Sequence, residues 1–281
     1  GFLLLKNKSK MVAPNSKSNF EIIIPIANIS IGNTKTRLAN KLSELQRKNL
    51  TIWLLNHVVT TSYMALSQLK MKPYITILGN EYSTPEFDYI SHIYSIKNQI
   101  PIKNLGNNLN DSLQQYLDIS KKNNKLILPA DLGMIQINDI LQFIQKSNNF
   151  KIPVIAKANK DNGTNGLLLP LNKDFKFRFG KNSFTSHIDI LRTYEIVNSH
   201  GINNDIDEHS DLIKLMKNNN SIKYVLDIKG KIVIPFNEYS HVNKEINVNL
   251  VNDNFTLPNN MELKESKKTY FYNKSIDIII N

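Results

Sequence analysis

The chain of 281 residues contains no cysteine, so disulfides, thiolate metal sites and cysteine nucleophiles are excluded. Arginine is also scarce, with four copies among many lysines, although the formal net charge is +11. A surface dedicated to nucleic acid would cluster its charge and favour arginine, whose fork geometry fits phosphates and base edges. The composition therefore argues against nucleic-acid partners and leaves small polyanions as the ligands that the positive charge attracts.

Long apolar runs are missing as well. Residues 2–5 form an apolar run of four, which is too short for the core of a signal peptide or for a membrane span. We therefore expect no membrane partner and a flexible leader over residues 1–18. A cytoplasmic location is expected too, because it suits a chain without cysteine.

Short apolar segments alternate with segments of helical spacing through residues 19–221. Strands are predicted at 21–26, 74–78, 125–128 and 153–158, and helices within 40–69, at 111–120 and at 138–145, the last capped by Asn138. Such alternation predicts an α/β domain, with a mostly parallel sheet between two layers of helices. After a linker at 217–221, residues 222–281 contain only strand-like segments, which predicts a small β-rich C-terminal extension.

Carboxylates stand where ligands bind such a sheet, beyond the carboxyl ends of its strands. Asp131 follows the predicted strand at 125–128. Asp205 and Asp207 are two residues apart, which in an extended segment puts both side chains on one side. Together the three acids predict a site for Mg²⁺ or Mn²⁺, with two ions expected. Taken singly, Asp131 is as well explained as a cap of the next helix or turn. The pair is as well explained as an exposed acidic strand end or as a cap of a helix at 211–216.

Two further segments have the composition of anion-binding turns. Residues 161–166 (DNGTNG) and 179–184 (FGKNSF) combine glycines with hydroxyl and amide donors. The candidate contacts are Thr164, Gly180 and Ser183. Plain structural turns are the alternative for both segments.

The loop after the first strand ends in Lys35 and Arg37, ahead of a predicted helix. Cations at a helix start oppose the helix dipole, whereas a cation pair beside backbone N–H groups suits a triphosphate. The loop lacks the Gly-Lys-Ser/Thr ending of a Walker motif. The histidines form neither a metal-binding nor a triad pattern, so we expect each of them at the surface or in packing.

In their order and spacing, these segments resemble the 2-phospho-L-lactate guanylyltransferase family of coenzyme F-420 biosynthesis. The resemblance covers about residues 21–216 and rests on IIIPI, NTKTRLANKL, NLNDSL, LILPADL, DNGTNGLLL, FGKNSF and NDIDEHSDL. It implies a Rossmann-like nucleotidyltransferase fold of the nucleotide-diphospho-sugar transferase type. The implied reaction condenses GTP with 2-phospholactate, phosphoenolpyruvate or 3-phosphoglycerate and releases pyrophosphate.

The resemblance also implies roles for the candidate residues. They fall into four groups: metal binding by Asp131, Asp205 and Asp207; catalysis and triphosphate binding by Lys35 and Arg37; acceptor binding by Thr164, Gly180 and Ser183; and nucleotide binding by Asn110. The chain departs from the family pattern at Gly133, where the family has proline, and at Asn108, which replaces the glycine of a Gly-Leu-Asn segment.

An acceptor phosphate is already ionised at neutral pH, so the implied reaction needs no general base and depends on positioning and charge neutralisation. Two alternatives stay open. One is a related nucleotidyltransferase for a sugar phosphate or the molybdenum cofactor, and the other is a non-catalytic nucleotide-binding protein that works through the β-rich extension. A homodimer and a hand-over of product to the next transferase of the pathway are open as well.

Overall fold

The computed structural model describes residues 19–26, 34–72, 74–79, 98–101, 108–120, 123–171, 173–218, 232–234 and 278–280. The predicted leader at 1–18 and linker after residue 218 therefore lie outside the described residues, as does most of the predicted extension at 222–281. Of that extension, two short strands are described, β8 (Ile232–Ile234) and β9 (Ile278–Ile280), which pair in parallel.

Seven strands form one mixed sheet with the order β3-β2-β1-β4-β6-β5-β7. Their bounds are β1 Phe20–Ile26, β2 Ile75–Gly79, β3 Asn98–Pro101, β4 Asn124–Ile127, β5 Val154–Lys157, β6 Thr164–Leu169 and β7 Glu195–Ile196. Among the described strands of this sheet, β6 alone runs against its two neighbours, β4 and β5, and the other pairings are parallel. The prediction of a mostly parallel sheet is confirmed.

Six α-helices accompany the sheet within the described part of the chain. They are α1 Glu44–Gln68, α2 Leu109–Ile119, α3 Ile137–Lys146, α4 Ser183–Leu191, α5 His200–Asn203 and α6 His209–Asn218. A single 3-10 turn, Thr36–Leu38, precedes α1, whose start is fixed by a capping box between Ser43 and Gln46. The region at 40–69, for which either two helices or one long helix with a break is predicted, contains one long helix.

Helices cover both faces of the sheet, as predicted. Successive side chains of β1 point to opposite faces, so that Ile22 packs with α1 and α3 while Ile23 packs with α2 and α4. A third cluster joins Trp53 of α1 to Leu212 of α6. Among the described residues, no helix is both long and apolar enough to cross a membrane.

The prediction that Asn138 caps the third helix is wrong. The helix begins at Ile137 after Gln136, whose backbone N–H donates to Asp139 Oδ2 over 2.8 Å. The Asp139 carboxylate, three residues after Gln136, thus accepts the backbone N–H of the residue that precedes the helix, as in a capping box.

Candidate active site

The neighbouring parallel strands β1 and β4 end at the same edge of the sheet, and a cavity of about 660 Å³ lies beyond them. Its wall contains the end of β1, the loop at 34–37, the turn at 129–131, and Phe179 and Asp207. This is the edge at which open α/β sheets bind their ligands. Both predicted cations and two of the predicted acids line the cavity.

The structure brings the three predicted aspartates together. Single carboxylate oxygens of Asp131, Asp205 and Asp207 all lie within 4.8 Å of one another. Ile206, between the last two, is fully buried beside Trp53, and its backbone N–H donates to Asp131 O over 3.0 Å. The buried isoleucine anchors the segment while the two flanking carboxylates are left on the side of Asp131.

Lys35 lies within this group of acids. Its Nζ is 2.8 Å from Asp131 Oδ2 and 2.9 Å from Asp207 Oδ1, and its side chain is 8% exposed. Burial alone lowers the pKa of this ammonium, but the two carboxylates outweigh it and raise the pKa above the ordinary value. Arg37, whose side chain is 65% exposed, donates from Nη1 to Asp207 Oδ2 over 2.9 Å.

The backbone of Lys35 is in the left-handed region, with φ 51° and ψ 45°. This conformation costs a residue with a Cβ about 1–2 kcal/mol, so the surroundings must hold it. Arg47 of α1 contributes to that, because its Nε donates to Thr34 O over 3.2 Å and its Nη1 donates to Leu42 O over 2.9 Å. Helix α1 thereby fixes the loop that carries the two cations.

The charges of the acid group are unequally compensated. Burial raises the pKa of Asp205, and the carboxylates of Asp131 and Asp207 raise it further. Burial would raise the pKa of Asp207 as well, but Lys35 and Arg37 hold it below the usual range. Asp205 forms no ion pair with any described cation and has only a backbone hydrogen bond within its own residue, so its charge is the least compensated of the three.

A divalent cation fits this arrangement. The donors are carboxylate oxygens only, which suits Mg²⁺ or Mn²⁺ with further ligands from a phosphate. An added positive charge would also relieve the repulsion at Asp205. Asp131, Asp205 and Asp207 are the residues that would hold it.

Asp211, which the sequence analysis did not single out, fixes the position of Asp207. Its Oδ2 accepts the backbone N–H groups of Asp207 over 3.1 Å and Glu208 over 2.8 Å, and it also pairs with Lys160. The spacing in the sequence could have revealed this role. Glu208 precedes helix α6, and Asp211 follows it by three residues, which is the spacing of a capping box.

The predicted acceptor residues form a second group, outside the wall of the cavity. Ser183 Oγ donates to Thr164 Oγ1 over 3.3 Å, and both hydroxyls are buried. Gly180 is exposed in the segment before α4 and has φ +130°, which a residue with a Cβ rarely adopts. Its neighbour Phe179 does line the cavity, so the two groups adjoin along the chain.

The interpretation of residues 161–166 as one loop is wrong, because Thr164 already begins β6. A β-bulge at Asn165 interrupts the pairing of β6 with β5, and bulges commonly re-aim side chains beside active sites. Gly166 has a packing role, since an added Cβ would lie 2.4 Å from the Phe143 ring. It is therefore not a point at which the backbone approaches a ligand.

His187 joins this second group and was also missed as a site residue. The Arg178 N–H donates to Nε2 over 3.0 Å, so the ring proton is on Nδ1 and is donated to Thr164 Oγ1, 2.9 Å away. Burial first, and the charge of Arg178 second, lower the pKa of His187 to about 4. The neutral ring therefore fixes the orientation of the Thr164 hydroxyl.

Asn110 and Thr34 differ in how their polar atoms are used. Asn110, the predicted nucleotide ligand, accepts the Phe179 N–H over 2.7 Å and donates to Phe179 O over 3.1 Å, so its amide fixes Phe179 in the cavity wall.

Thr34 is buried in that wall, and its Oγ1 has no hydrogen-bond partner among the described residues. A buried hydroxyl without a partner is costly, so Thr34 is a candidate donor to a ligand.

Known proteins resemble the chain in sequence over most of its length. The family described as "Guanylyl transferase CofC like" matches residues 20–249, which reaches past the linker predicted at 217–221. A phosphoenolpyruvate guanylyltransferase of Roseiflexus sp. (strain RS-1) is 29% identical over 69% of this chain and 83% of its own length. A 2-phospho-L-lactate guanylyltransferase of Methanocaldococcus fervens is 26% identical over 68% of this chain and 82% of its own length.

A solved structure resembles the chain in fold. It is a protein of Desulfovibrio desulfuricans G20 described as a nucleotide-diphospho-sugar transferase, with a TM-score of 0.50 and 15% sequence identity. The likeness covers 75% of this chain and 94% of that protein. At this identity it bears on the fold alone, and it agrees with the fold type implied by the sequence motifs.

Proposed function

Because the chain belongs to the family of CofC-like guanylyl transferases, we propose that it joins the guanylyl group of GTP to a small phosphorylated acid and releases pyrophosphate. This membership confirms the resemblance seen in the sequence motifs. The acids named for its relatives, 2-phospho-L-lactate and phosphoenolpyruvate, are the first candidates for the acceptor, with 3-phosphoglycerate as a third. The reaction would serve as a step of coenzyme F-420 biosynthesis.

One observation carries the proposal: three aspartates, a buried lysine and an arginine form one group beside a cavity beyond β1 and β4, and all but Asp205 line its wall. Nucleotidyl transfer needs this combination. Carboxylates hold the divalent cation of a metal nucleotide, and fixed cations neutralise the phosphate charge that builds up on the leaving group.

In the proposed reaction, a phosphate oxygen of the acceptor attacks the α-phosphorus of GTP. The new bond joins that oxygen to phosphorus, and the bond from the α-phosphorus to the bridging oxygen breaks, so that its electron pair leaves with pyrophosphate. No proton has to be removed, because the acceptor phosphate is already ionised. This agrees with a cavity whose wall contains no described histidine.

Each group of residues has a part in this reaction. Asp131, Asp205 and Asp207 would hold Mg²⁺ or Mn²⁺, which when bound supplies positive charge beside the reacting phosphates; two ions are our expectation for this set of acids. Lys35 and Arg37 would stabilise the departing pyrophosphate.

The second group would bind the acceptor. Ser183 and Thr164 form a hydroxyl pair that His187 orients, and Gly180 lies at the end of the segment whose Phe179 reaches the cavity wall. Hydroxyls oriented by a fixed hydrogen-bond chain suit a carboxylate or phosphate oxygen.

A pyrophosphate-release assay tests the proposal. The protein is incubated with Mg²⁺, one of GTP, ATP or CTP, and one of the three acids, and the product is identified by mass spectrometry. We expect release with GTP and one of the acids, with a guanosine diphospho-acid as product. The same nucleotides are also incubated with sugar phosphates. Release only with sugar phosphates, or none from any mixture, would overturn the proposed function.

A further inference from the structure

The position of Lys35 raises a question that its predicted role does not answer. Its ammonium lies 2.8 Å from Asp131 Oδ2 and 2.9 Å from Asp207 Oδ1, two of the three carboxylates that fit a divalent cation. The side chain is 8% exposed, so the ammonium is held by these two oxygens in a largely buried place. A lysine in this position and a metal ion need the same ligands.

The Lys35 ammonium and a divalent metal ion cannot both be bound by Asp131 and Asp207 with all their contacts. The three carboxylate oxygens lie within 4.8 Å of one another, and Mg²⁺ binds oxygen at about 2.0–2.1 Å. An ion bound to Asp131 and Asp207 would therefore lie within a few ångströms of an ammonium that kept both contacts, and like charges at that separation repel.

We propose that Lys35 is the resident counter-ion of the three aspartates in the metal-free protein and leaves them when a divalent cation binds. Its ammonium then turns into the cavity, where it is available to a polyphosphate. Only this last step rests on the proposed function; the exchange of lysine for metal does not.

The loop allows the side chain to move while its backbone stays in place. Arg47 Nε holds Thr34 O over 3.2 Å, and the backbone N–H of Leu38 donates to Lys35 O over 2.9 Å. The lysine side chain is a flexible four-carbon stem, and Lys35 already belongs to the cavity wall. Rotation about the side-chain bonds is thus enough to move the ammonium from the acids into the cavity.

The exchange couples the two ligands. Metal binding frees the ammonium for a polyphosphate, and a bound polyphosphate keeps the ammonium away from the acids. By linkage, each ligand then raises the affinity for the other by the same factor. Lys35 would let the metal-free site stay neutralised and would favour the metal and the nucleotide as a pair.

The test is a titration of nucleotide-free protein with Mn²⁺, followed by the electron paramagnetic resonance signal of free Mn²⁺. Lys35→Met keeps the apolar stem and removes the charge, and we expect it to bind Mn²⁺ about tenfold more tightly than the wild type, or better. Lys160→Met is the control for the general charge of the region, because Lys160 forms its ion pair with Asp211 and acts on Asp205 and Asp207 without contacting them. Its affinity should stay within about threefold of the wild type.

Two results would overturn the inference. One is a Lys35→Met protein, folded by circular dichroism, that binds Mn²⁺ no more tightly than the wild type. The other is an equal gain in Lys160→Met, which would point to the general charge of the region.

If the Lys35→Met protein does not fold, the exchange can be tested by chemical labelling of the wild type. An amine-reactive reagent should label Lys35 poorly without metal and several-fold faster with Mg²⁺, as read by mass spectrometry of peptides. Labelling that Mg²⁺ leaves unchanged or slows would contradict the exchange. Because neither measurement contains GTP or an acceptor, a failure of the guanylyl-transfer assay leaves both results interpretable.

Discussion

Replacing Asp211 should show how much metal affinity depends on the positioning of Asp207, because Asp211 holds the backbone of that segment and is not itself one of the proposed metal ligands. Asp211→Ala removes the carboxylate that accepts the N–H groups of Asp207 over 3.1 Å and Glu208 over 2.8 Å. Hydrogen bonds to a charged acceptor contribute about 1.5–3 kcal/mol each. Glu208 is exposed and Lys160 is 27% exposed, so water replaces part of what is lost. We therefore expect a loss of about 2–4 kcal/mol in the free energy of unfolding.

The functional consequence should be larger than for an ordinary helix cap. Without the two bonds, the segment that presents Asp207 to Asp131 is held mainly by Ile206, and the affinity for Mn²⁺ should fall about tenfold. Asp211→Asn keeps an oxygen that can accept both N–H groups and should lose much less. Urea unfolding gives the stability, and a Mn²⁺ titration gives the affinity.

Asp139 provides a matched control away from the site. It has the same position in α3 as Asp211 has in α6, and it accepts the Gln136 N–H over 2.8 Å. Asp139→Ala should lower stability by about 1–2 kcal/mol, because it loses one such bond rather than two, and should leave Mn²⁺ affinity within about twofold. If Asp211→Ala behaves in the same way, Asp211 is only a cap of α6 and our reasoning about Asp207 is refuted.

Four other expectations can be measured directly. Asp131→Asn should nearly abolish pyrophosphate release with the urea midpoint little changed; near-normal turnover would contradict the metal assignment. Thr34→Val should raise the KM for GTP about two- to tenfold, whereas Thr34→Ser keeps the hydroxyl and should stay near the wild type. Ser183→Ala should raise the KM of the acceptor more than that of GTP, and the opposite order would mean that the half-sites are assigned the wrong way round. The pKa of His187 is lowered to about 4 in the folded protein, so below about pH 6.5 the unfolded chain binds more protons and the free energy of unfolding falls as the pH falls towards 4. His187→Gln should remove about 2 kcal/mol of the stability that the wild type loses between pH 7.5 and pH 5. An unchanged loss would refute this.

Strands β1, β2, β4 and β5 could be predicted because they are short, apolar and bounded by polar loops. Strand β6 could not, since Asn165 and Gly166 are poor strand formers by composition. Their place in the sheet depends on a bulge opposite β5 and on the Phe143 ring, which comes from α3 and leaves no room for a Cβ. A contact of this kind overrides local propensity and leaves no mark in the neighbouring sequence.

The candidate site shows the same limit. The spacing of Asp205 and Asp207 was enough to place both carboxylates on one side, because Ile206 between them has to be buried. His187 and Asp211 escaped notice because they act through other residues, one through a hydroxyl on β6 and the other through backbone N–H groups. Such roles depend on which segments the fold brings together, and the residue type alone does not reveal them.

Two of the four arginines make contacts at the candidate site. Lysine supplies most of the positive charge, so an arginine stands out where its geometry is used. Arg37 donates to the carboxylate of Asp207, and Arg47 donates from two nitrogens to backbone oxygens of the loop that carries Lys35. An ammonium has no such fork of fixed donors and could not hold two carbonyl groups in a defined geometry. In a lysine-rich chain, two of the four arginines are therefore used at the loop on which the proposed chemistry depends.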